Sequence, residues 1–188
     1  LKNFGVELEE EECQRIIDIY RTTYAEVPKL WRAAGKCLDA MKLNQTKNLG
    51  KDDLLLVDGN SGIKLPNGLY IKYPNLRLEQ DEEGRNETVY DTRMGRTLTH
   101  TRIYGGKVIE NVCQALARIV IGEQLLRVST KYKVVMTVHD AIGCIVPEAE
   151  VEEGMAYVEK CMKVRPAWAK GLPLDCEGGS GNSYGACQ

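Results

Sequence analysis

Two short apolar runs separated by a His-Asp pair place the strongest constraint on how this chain folds. Lys133–Val138 and Ala141–Val146 are rich in β-branched and apolar residues, and His139 and Asp140 lie between them. This pattern predicts an antiparallel hairpin with the polar pair at its turn. A carboxylate held at a strand turn, with apolar walls on both sides, is suited to a hard cation such as Mg²⁺. Because Asp is common in ordinary turns, a plain polar turn remains an equal alternative for the hairpin alone.

The overall composition is typical of one ordinary globular domain. The chain has 188 residues, of which 43% are hydrophobic and 28% charged. No apolar run approaches the ~20 residues that cross a bilayer, so we expect no membrane-spanning segment. Seven scattered cysteines without a C-x-x-C pair indicate reduced thiols and a cytoplasmic location. Two histidines make a His-rich zinc site improbable, and a first residue other than Met suggests a fragment or a processed product.

Helical periodicity dominates three parts of the chain. The first, 8–41, starts with four glutamates, and Pro28 predicts that it divides into two helices near Val27. Its apolar positions recur at helical spacing and include Ile16 and Tyr20. The other two predicted helices are Gly106–Ser129 and Glu148–Lys163.

Short strand-like runs and turn signals fill the region from 44 to 98, which predicts an irregular set of β-hairpins. The predicted strands there are Leu54–Val57, Leu69–Tyr73 and Glu87–Tyr90. A last strand is predicted at Leu172–Cys176, before a glycine-rich tail. Helices packed on antiparallel strands make the chain α+β in class.

A polar stripe on the Gly106–Ser129 helix is the second informative feature. Lys107, Asn111, Gln114 and Arg118 recur every three or four residues and therefore share one helix face. Such side chains bind phosphates and base-edge acceptors, although a solvated helix face is the plain alternative.

The stretch before that helix is basic, with Arg93, Arg96, Arg102 and Lys107 inside fifteen residues. A basic approach, a helix of hydrogen-bond donors and a carboxylate suited to a metal follow one another along the chain. This order suggests phosphodiester chemistry on a nucleic acid.

Several stretches resemble family A DNA polymerases, especially those of phages. Thr101–Arg118 resembles the palm helix of that family, and Thr137–Asp140 is similar to its third polymerase motif, usually Val-His-Asp-Glu. Gly171–Gly185 resembles the C-terminal end of phage polymerases, and the N-terminal region resembles the stretch that follows the fingers helix.

The resemblance implies an α+β polymerase palm subdomain, in which an antiparallel β-hairpin sheet is covered by helices. Residues 1–43 would be the helical segment following the fingers, and residues 44–100 an irregular β-hairpin insertion. Residues 101–188 would form the C-terminal palm with the catalytic hairpin.

The resemblance also implies roles for individual residues. Asp140 would be one of two carboxylates that bind a pair of Mg²⁺ ions, and His139 would contact the primer-terminal nucleotide. Gln114, with Asn111 or Glu110, would face the minor groove of primer–template DNA, where acceptors are nearly independent of sequence. Further DNA-binding candidates are Arg118, Lys107 and Arg102.

The sequence departs from the family in three places. Ala141 stands where the family usually has Glu, and neither the Asp-Tyr-Ser motif of the palm nor the fingers helix is present. We therefore expect template-directed DNA synthesis from dNTPs only together with the remaining polymerase polypeptide, in the host cytoplasm if a phage encodes it. The alternative is a non-catalytic DNA-binding palm remnant that acts as an accessory or structural protein.

Overall fold

The computed structural model describes residues 8–187, apart from the side chain of Asp53. The chain divides into two compact units, unit 1 up to Val112 and unit 2 from Cys113. Every strand pairing among the described residues is antiparallel, and both units contain helix, so the predicted α+β class is confirmed. The division into functional segments 1–43, 44–100 and 101–188 stays a prediction.

Four α-helices lie in the described part of the chain, and α3 passes from unit 1 into unit 2. They are α1 (Glu10–Thr23), α2 (Glu26–Lys42), α3 (Gly105–Val128) and α4 (Val151–Met162). Short 3₁₀ turns occur at Lys51–Asp53, Glu148–Glu150 and Tyr184–Ala186. Within residues 8–187, no helix has both the length and the apolar character that a membrane span requires.

The break predicted in the N-terminal helical region is present and lies slightly before Val27. Because α2 begins at Glu26, Pro28 is its third residue, where a backbone N–H would have no partner within the helix. α1 contains no buried residue, and its predicted apolar face is open, with Ile16 44% and Tyr20 43% exposed.

Unit 1 contains two antiparallel sheets, in strand orders β1-β2-β3-β4 and β5-β6-β7. Their strands are β1 (Lys47–Leu49), β2 (Leu55–Asp58), β3 (Gly62–Lys64), β4 (Tyr70–Ile71), β5 (Arg77–Gln80), β6 (Asn86–Met94) and β7 (Thr97–Arg102). The three strands predicted in this region correspond to β2, β4 and β6, and β6 runs four residues past its predicted end at Tyr90. Val57 and Ile63 are fully buried, as is Cys37 of α2.

The start of α3 packs tightly against the backbone of α2. A Cβ atom on Gly105 would overlap the carbonyl oxygen of Trp31 and would lie 2.9 Å from the backbone nitrogen of Gly35. Only glycine fits this approach without displacing one of the two helices. Since α3 begins at Gly105, the start predicted at Gly106 is accurate to one residue. The close packing of Gly105 on α2 also fixes the position of the first turn of α3, where the polar stripe begins.

Unit 2 consists of the second part of α3, α4 and the predicted hairpin, formed by β8 (Lys133–Val138) and β9 (Ala141–Ile145). The prediction of a strand at Leu172–Cys176 is wrong, because this segment is irregular. Pro173 has no N–H for a ladder, and the carboxylate of Asp175 accepts the Cys176 N–H and pairs with Lys163 at 2.9 Å. The backbone N–H of Cys176, which a strand would offer to a neighbouring strand, is thus occupied by a side chain.

Candidate functional site

The His139-Asp140 pair forms a two-residue turn between β8 and β9. Val138 and Ala141 are the last paired residues before it. His139 has a φ of +52°, in the left-handed region that tight hairpin turns require and that His tolerates better than most residues. Both turn side chains are exposed. The hairpin therefore presents one carboxylate and one imidazole outward from its end, where a ligand can reach them.

The two faces of this hairpin differ in exposure. Thr137 and Ile142 form a directly opposed pair on the half-buried face. Met136 and Val138 lie on the other face and are 36% and 38% exposed. Apolar residues flank the turn, but they do not enclose it.

The base of the hairpin is anchored to the region around α4 by three contacts. Tyr132, only 5% exposed, donates a hydrogen bond from its hydroxyl to Glu150 at 3.2 Å. Lys131 pairs with Glu153 at 2.5 Å, and the rings of Tyr132 and Tyr157 meet edge to face. Such a base limits the motion of the strands that carry the turn, so Asp140 is held on a supported element.

Close packing also supports the strands themselves. A Cβ atom on Gly154 of α4 would lie 2.6 Å from Cγ1 of Val146, just after β9. A Cβ on Gly143 would lie 2.7 Å from Cγ of Met136, which covers that glycine on the opposite strand. Val135 forms a bulge in β8, where the register shifts between Val134 and Met136. Bulges increase local twist and re-aim the strand that contains them.

The first half of the polar stripe is occupied by contacts within unit 1. The side-chain amide of Asn111 donates a hydrogen bond to the hydroxyl of Tyr73 at 3.1 Å, and Asn111 is half-buried. Lys107 pairs with Glu110 at 2.8 Å, and this hydrogen bond raises the pKa of the Lys107 ammonium. Three of the predicted DNA-binding side chains thus already have protein partners.

Arg102, at the end of β7, also has protein partners. Its guanidinium pairs with Glu87 at 2.8 Å and lies 5.7 Å from the centre of the Tyr104 ring. The side chain nevertheless remains 62% exposed.

Gln114 and Arg118 lie one turn apart in the unit 2 part of α3, and both are exposed. The predicted site residues therefore fall in two groups. Unit 1 holds Arg102, Lys107, Glu110 and Asn111, and unit 2 holds Gln114, Arg118, His139 and Asp140. Their assignment to DNA or metal binding stays a prediction.

The metal expectation can be compared with the carboxylates present. Within residues 8–187, no three His, Cys, Asp or Glu side chains lie close enough together to hold a metal ion. Mg²⁺ in nucleotide-processing sites takes one or two protein carboxylates and completes its shell with water and substrate phosphates. Asp140 therefore fits as one ligand of such a site, and the described residues do not form a complete one.

Sequence reasoning missed the partners that occupy the predicted site residues. Tyr73 lies 38 residues before Asn111, and Glu87 lies fifteen before Arg102. A local pattern carries no signal for such pairs, because they form only when distant segments fold together. Glu87 and Arg102 lie on the adjoining strands β6 and β7, and β7 was not predicted as a strand, so this pair could not be found from the sequence.

Comparison with known proteins provides a separate line of evidence. The DNA polymerase of Bacillus phage SP02 is 32% identical to this chain over 180 residues. The match covers 91% of this chain and 27% of the phage protein. The chain resembles a segment of a phage DNA polymerase. It spans little more than a quarter of that relative's length. No protein-family model and no solved structure matches the chain.

Proposed function

We propose that this chain is the C-terminal palm part of a template-directed DNA polymerase of the family A type. The observation that carries the proposal is its similarity, over 91% of its length, to a segment of a phage DNA polymerase. The exposed His139-Asp140 turn on a supported hairpin agrees with a role in catalysis. On this proposal the chain acts in the cytoplasm, which is the host cytoplasm if a phage encodes it.

Asp140 would be one of two protein carboxylates in the polymerase active site. When bound, a pair of Mg²⁺ ions would align the primer 3′-hydroxyl and stabilise the charge that develops on the phosphate. His139, adjacent in the same turn, would contact the primer-terminal nucleotide. The supported turn favours this assignment, since catalytic groups must be held in place on rigid elements.

Among the predicted DNA contacts, the structure favours Gln114 and Arg118 over the others. Gln114 and Arg118 are exposed on α3, and we propose that Gln114 reads the minor groove while Arg118 contacts phosphate. Asn111 is engaged with Tyr73 and is better suited to positioning the helix. Lys107, Glu110 and Arg102 would have to exchange or share their present partners to contact DNA.

The remaining polymerase polypeptide would supply the second carboxylate and the dNTP-binding helix. The sequence contains neither the Asp-Tyr-Ser motif nor the fingers helix. Ala141, in place of the usual Glu, leaves Asp140 without an adjacent carboxylate in the turn. The chain alone should therefore bind primer–template DNA but should not extend it.

The decisive experiment is Mg²⁺-dependent primer extension by the assembled enzyme, formed from this chain and its flanking or companion polypeptide. Asp140→Asn should abolish nucleotide addition and leave primer–template affinity largely unchanged, because Asp140 would act on the metal and not on the duplex. Glu148→Gln, which also removes one exposed carboxylate from unit 2, is the matched control and should retain full activity.

Full extension by the Asp140→Asn enzyme would overturn the metal-ligand assignment. An assembled complex that binds DNA but never extends a primer, with wild-type or variant chain, would instead support the accessory DNA-binding alternative. The observation that favours the accessory alternative is that the described residues do not form a complete metal site.

A further inference from the structure

Among the described residues, no third strand pairs with the outer part of the β6–β7 hairpin, which is therefore a two-stranded ribbon. β5 pairs with β6 only from Asn86 to Val89, whereas β6 and β7 stay paired out to Met94 and Thr97. The last backbone bond to another segment is that of the Asp91 N–H to the Pro74 carbonyl. We call residues 92–99, which lie beyond this bond, the ribbon tip.

The ribbon tip carries two arginines whose charge is not neutralised. Arg93 and Arg96 are exposed, and neither forms an ion pair with any of residues 8–187. By contrast, Arg77 and Arg102 each pair with a carboxylate of this same sheet, and Arg85 pairs with Asp81 in the turn between β5 and β6. Of the four basic residues in the basic stretch seen in the sequence, Arg93 and Arg96 are therefore the two without an ion-pair partner among residues 8–187, whereas Arg102 and Lys107 are paired.

The ribbon tip itself contains no carboxylate. No Asp or Glu occurs between positions 92 and 109. Asp91, the nearest along the ribbon, accepts hydrogen bonds from Arg77 at 2.7 Å and from Asn75 at 3.0 Å. The acidic turn 81–83 precedes the other end of β6, whose nine residues span ~30 Å in an extended strand. A polyanion approaching the tip therefore meets positive charge first.

The other side chains of the ribbon tip also suit a nucleic acid, although Thr92 and Thr99 are half-buried and only Thr97 among its threonines is exposed. Thr92, Thr97 and Thr99 provide hydroxyl groups, which commonly bond to DNA phosphates. Met94 and Leu98 are 75% and 67% exposed and lie on opposite faces of the ribbon. Apolar side chains at such a tip can pack against the sugars and base edges of a groove.

We infer that the ribbon tip binds duplex DNA, with Arg93 and Arg96 on backbone phosphates and Met94 and Leu98 against the groove wall. A two-stranded antiparallel ribbon has the width that the major groove of B-DNA admits. The inference rests on the proposed polymerase function and adds a second DNA contact, separate from the α3 residues. Because the chain has a net charge of −2, its attraction for DNA depends on localised basic elements such as this one.

The test is the salt dependence of DNA binding by the 188-residue chain. A fluorescein-labelled primer–template duplex is titrated with wild type, with Arg93→Gln/Arg96→Gln, and with Arg21→Gln/Arg32→Gln. The last variant removes two equally exposed arginines from α1 and α2, so it matches the change in net charge. Binding constants are measured at several KCl concentrations between roughly 50 and 200 mM, where phosphate contacts dominate the salt slope.

Loss of two phosphate contacts should reduce the slope of log K against log salt by about 1.8. Wild type would then lose roughly twelvefold more affinity than the ribbon variant across this fourfold salt range. The control variant should keep the wild-type slope. An unchanged slope in the ribbon variant would overturn the inference, as would a wild-type chain that does not bind the duplex at all.

A protein partner is the competing occupant of the ribbon tip. In that case Met94→Asp/Leu98→Asp would release the companion polypeptide. Arg93→Gln/Arg96→Gln would leave the salt slope of DNA binding unchanged. These two results together would show that the inference is wrong. Failure of the proposed function is distinguishable, because it is measured by primer extension with Asp140→Asn. If the assembled polymerase extends primers normally but the Arg93→Gln/Arg96→Gln variant keeps the wild-type salt slope, the proposed function stands and the ribbon-tip inference is wrong.

Discussion

The side-chain amide of Asn111 donates a hydrogen bond to the Tyr73 hydroxyl at 3.1 Å, which ties α3 to the segment after β4. Tyr73 is only 8% exposed, and its ring packs edge to face on Tyr90 at 5.1 Å. Burial raises the pKa of the Tyr73 hydroxyl, and the bond from Asn111 acts in the opposite direction. A residue expected to contact DNA therefore has a structural partner, and this pair leads to two predictions.

Asn111→Ala should lower the free energy of unfolding by about 1–2 kcal/mol, because it leaves a buried hydroxyl without its partner. In a Tyr73→Phe background the same substitution should cost close to nothing, since no hydroxyl remains to be satisfied. A double-mutant cycle by urea denaturation measures this coupling. Equal losses in both backgrounds would show that Asn111 stabilises the protein by some other contact.

Tyr73 should also make stability depend on alkaline pH. The folded protein holds the phenolic proton more tightly than the unfolded chain does, so this stabilisation is complete below the ordinary tyrosine pKa of about 10. It is lost as the pH rises from there through the raised folded-state pKa. The free energy of unfolding should therefore fall more steeply above pH ~10 in wild type than in Tyr73→Phe. Parallel curves for the two proteins would contradict the burial argument.

Two glycines of α3 should respond in opposite directions to alanine. Gly105→Ala would force a methyl group against the Trp31 carbonyl and should destabilise by about 1–3 kcal/mol. Gly122 has nothing within 4 Å of an added Cβ, so Gly122→Ala should stabilise by up to about 1 kcal/mol through helix propensity. Chemical denaturation of both variants checks this pair, and a stable Gly105→Ala protein would contradict the close packing of α2 and α3.

Gln124 should be the glutamine of α3 that matters for stability. It is 4% exposed, and its amide donates a hydrogen bond to the carbonyl of Met162, at the end of α4. Carbonyls in the last turn of a helix have no partner within it, so Gln124→Ala should cost about 1–3 kcal/mol. Gln114→Ala, on the exposed face of the same helix, should change stability by less than about 0.5 kcal/mol. Thermal and urea unfolding of both variants provide the comparison.

Gln114 should instead matter for DNA. Under the proposed function, Gln114→Ala removes a minor-groove hydrogen bond and should weaken primer–template binding by roughly tenfold, equivalent to about 1.4 kcal/mol. Gln45→Ala, at an exposed loop position in unit 1, serves as the control and should bind like wild type. If neither affinity nor extension past mismatches changes in the Gln114→Ala enzyme, Gln114 does not lie in the groove.

Elements dominated by local pattern were predicted well. The turn at His139 and Asp140 lies where the alternation placed it, and α3 lies within one residue of its predicted ends, Gly106 and Ser129. β7 was not predicted as a strand, because its Thr-rich sequence lacks the apolar run on which strand predictions depend. Its threonines are compatible with a strand, and pairing with β6 supplies the hydrogen bonds that make it one.

Exposure was the property that sequence predicted least well. The apolar spacing of α1 predicted a buried face, yet Ile16 and Tyr20 are 44% and 43% exposed. Periodicity shows which residues share a face, but burial also requires another segment to cover that face. The same limit applies to Asp140, whose apolar neighbours in sequence do not enclose it.

The sequence by itself determined the helices, the hairpin with its His139-Asp140 turn and the basic composition before α3, because these depend on residues close together along the chain. Only the tertiary structure decided which polar side chains are already engaged. It paired Asn111 with Tyr73 and Arg102 with Glu87, and it left Arg93 and Arg96 without a carboxylate among residues 8–187. The physical reason is that hydrogen bonds and ion pairs depend on distance in space, and folding brings together residues that no local pattern connects.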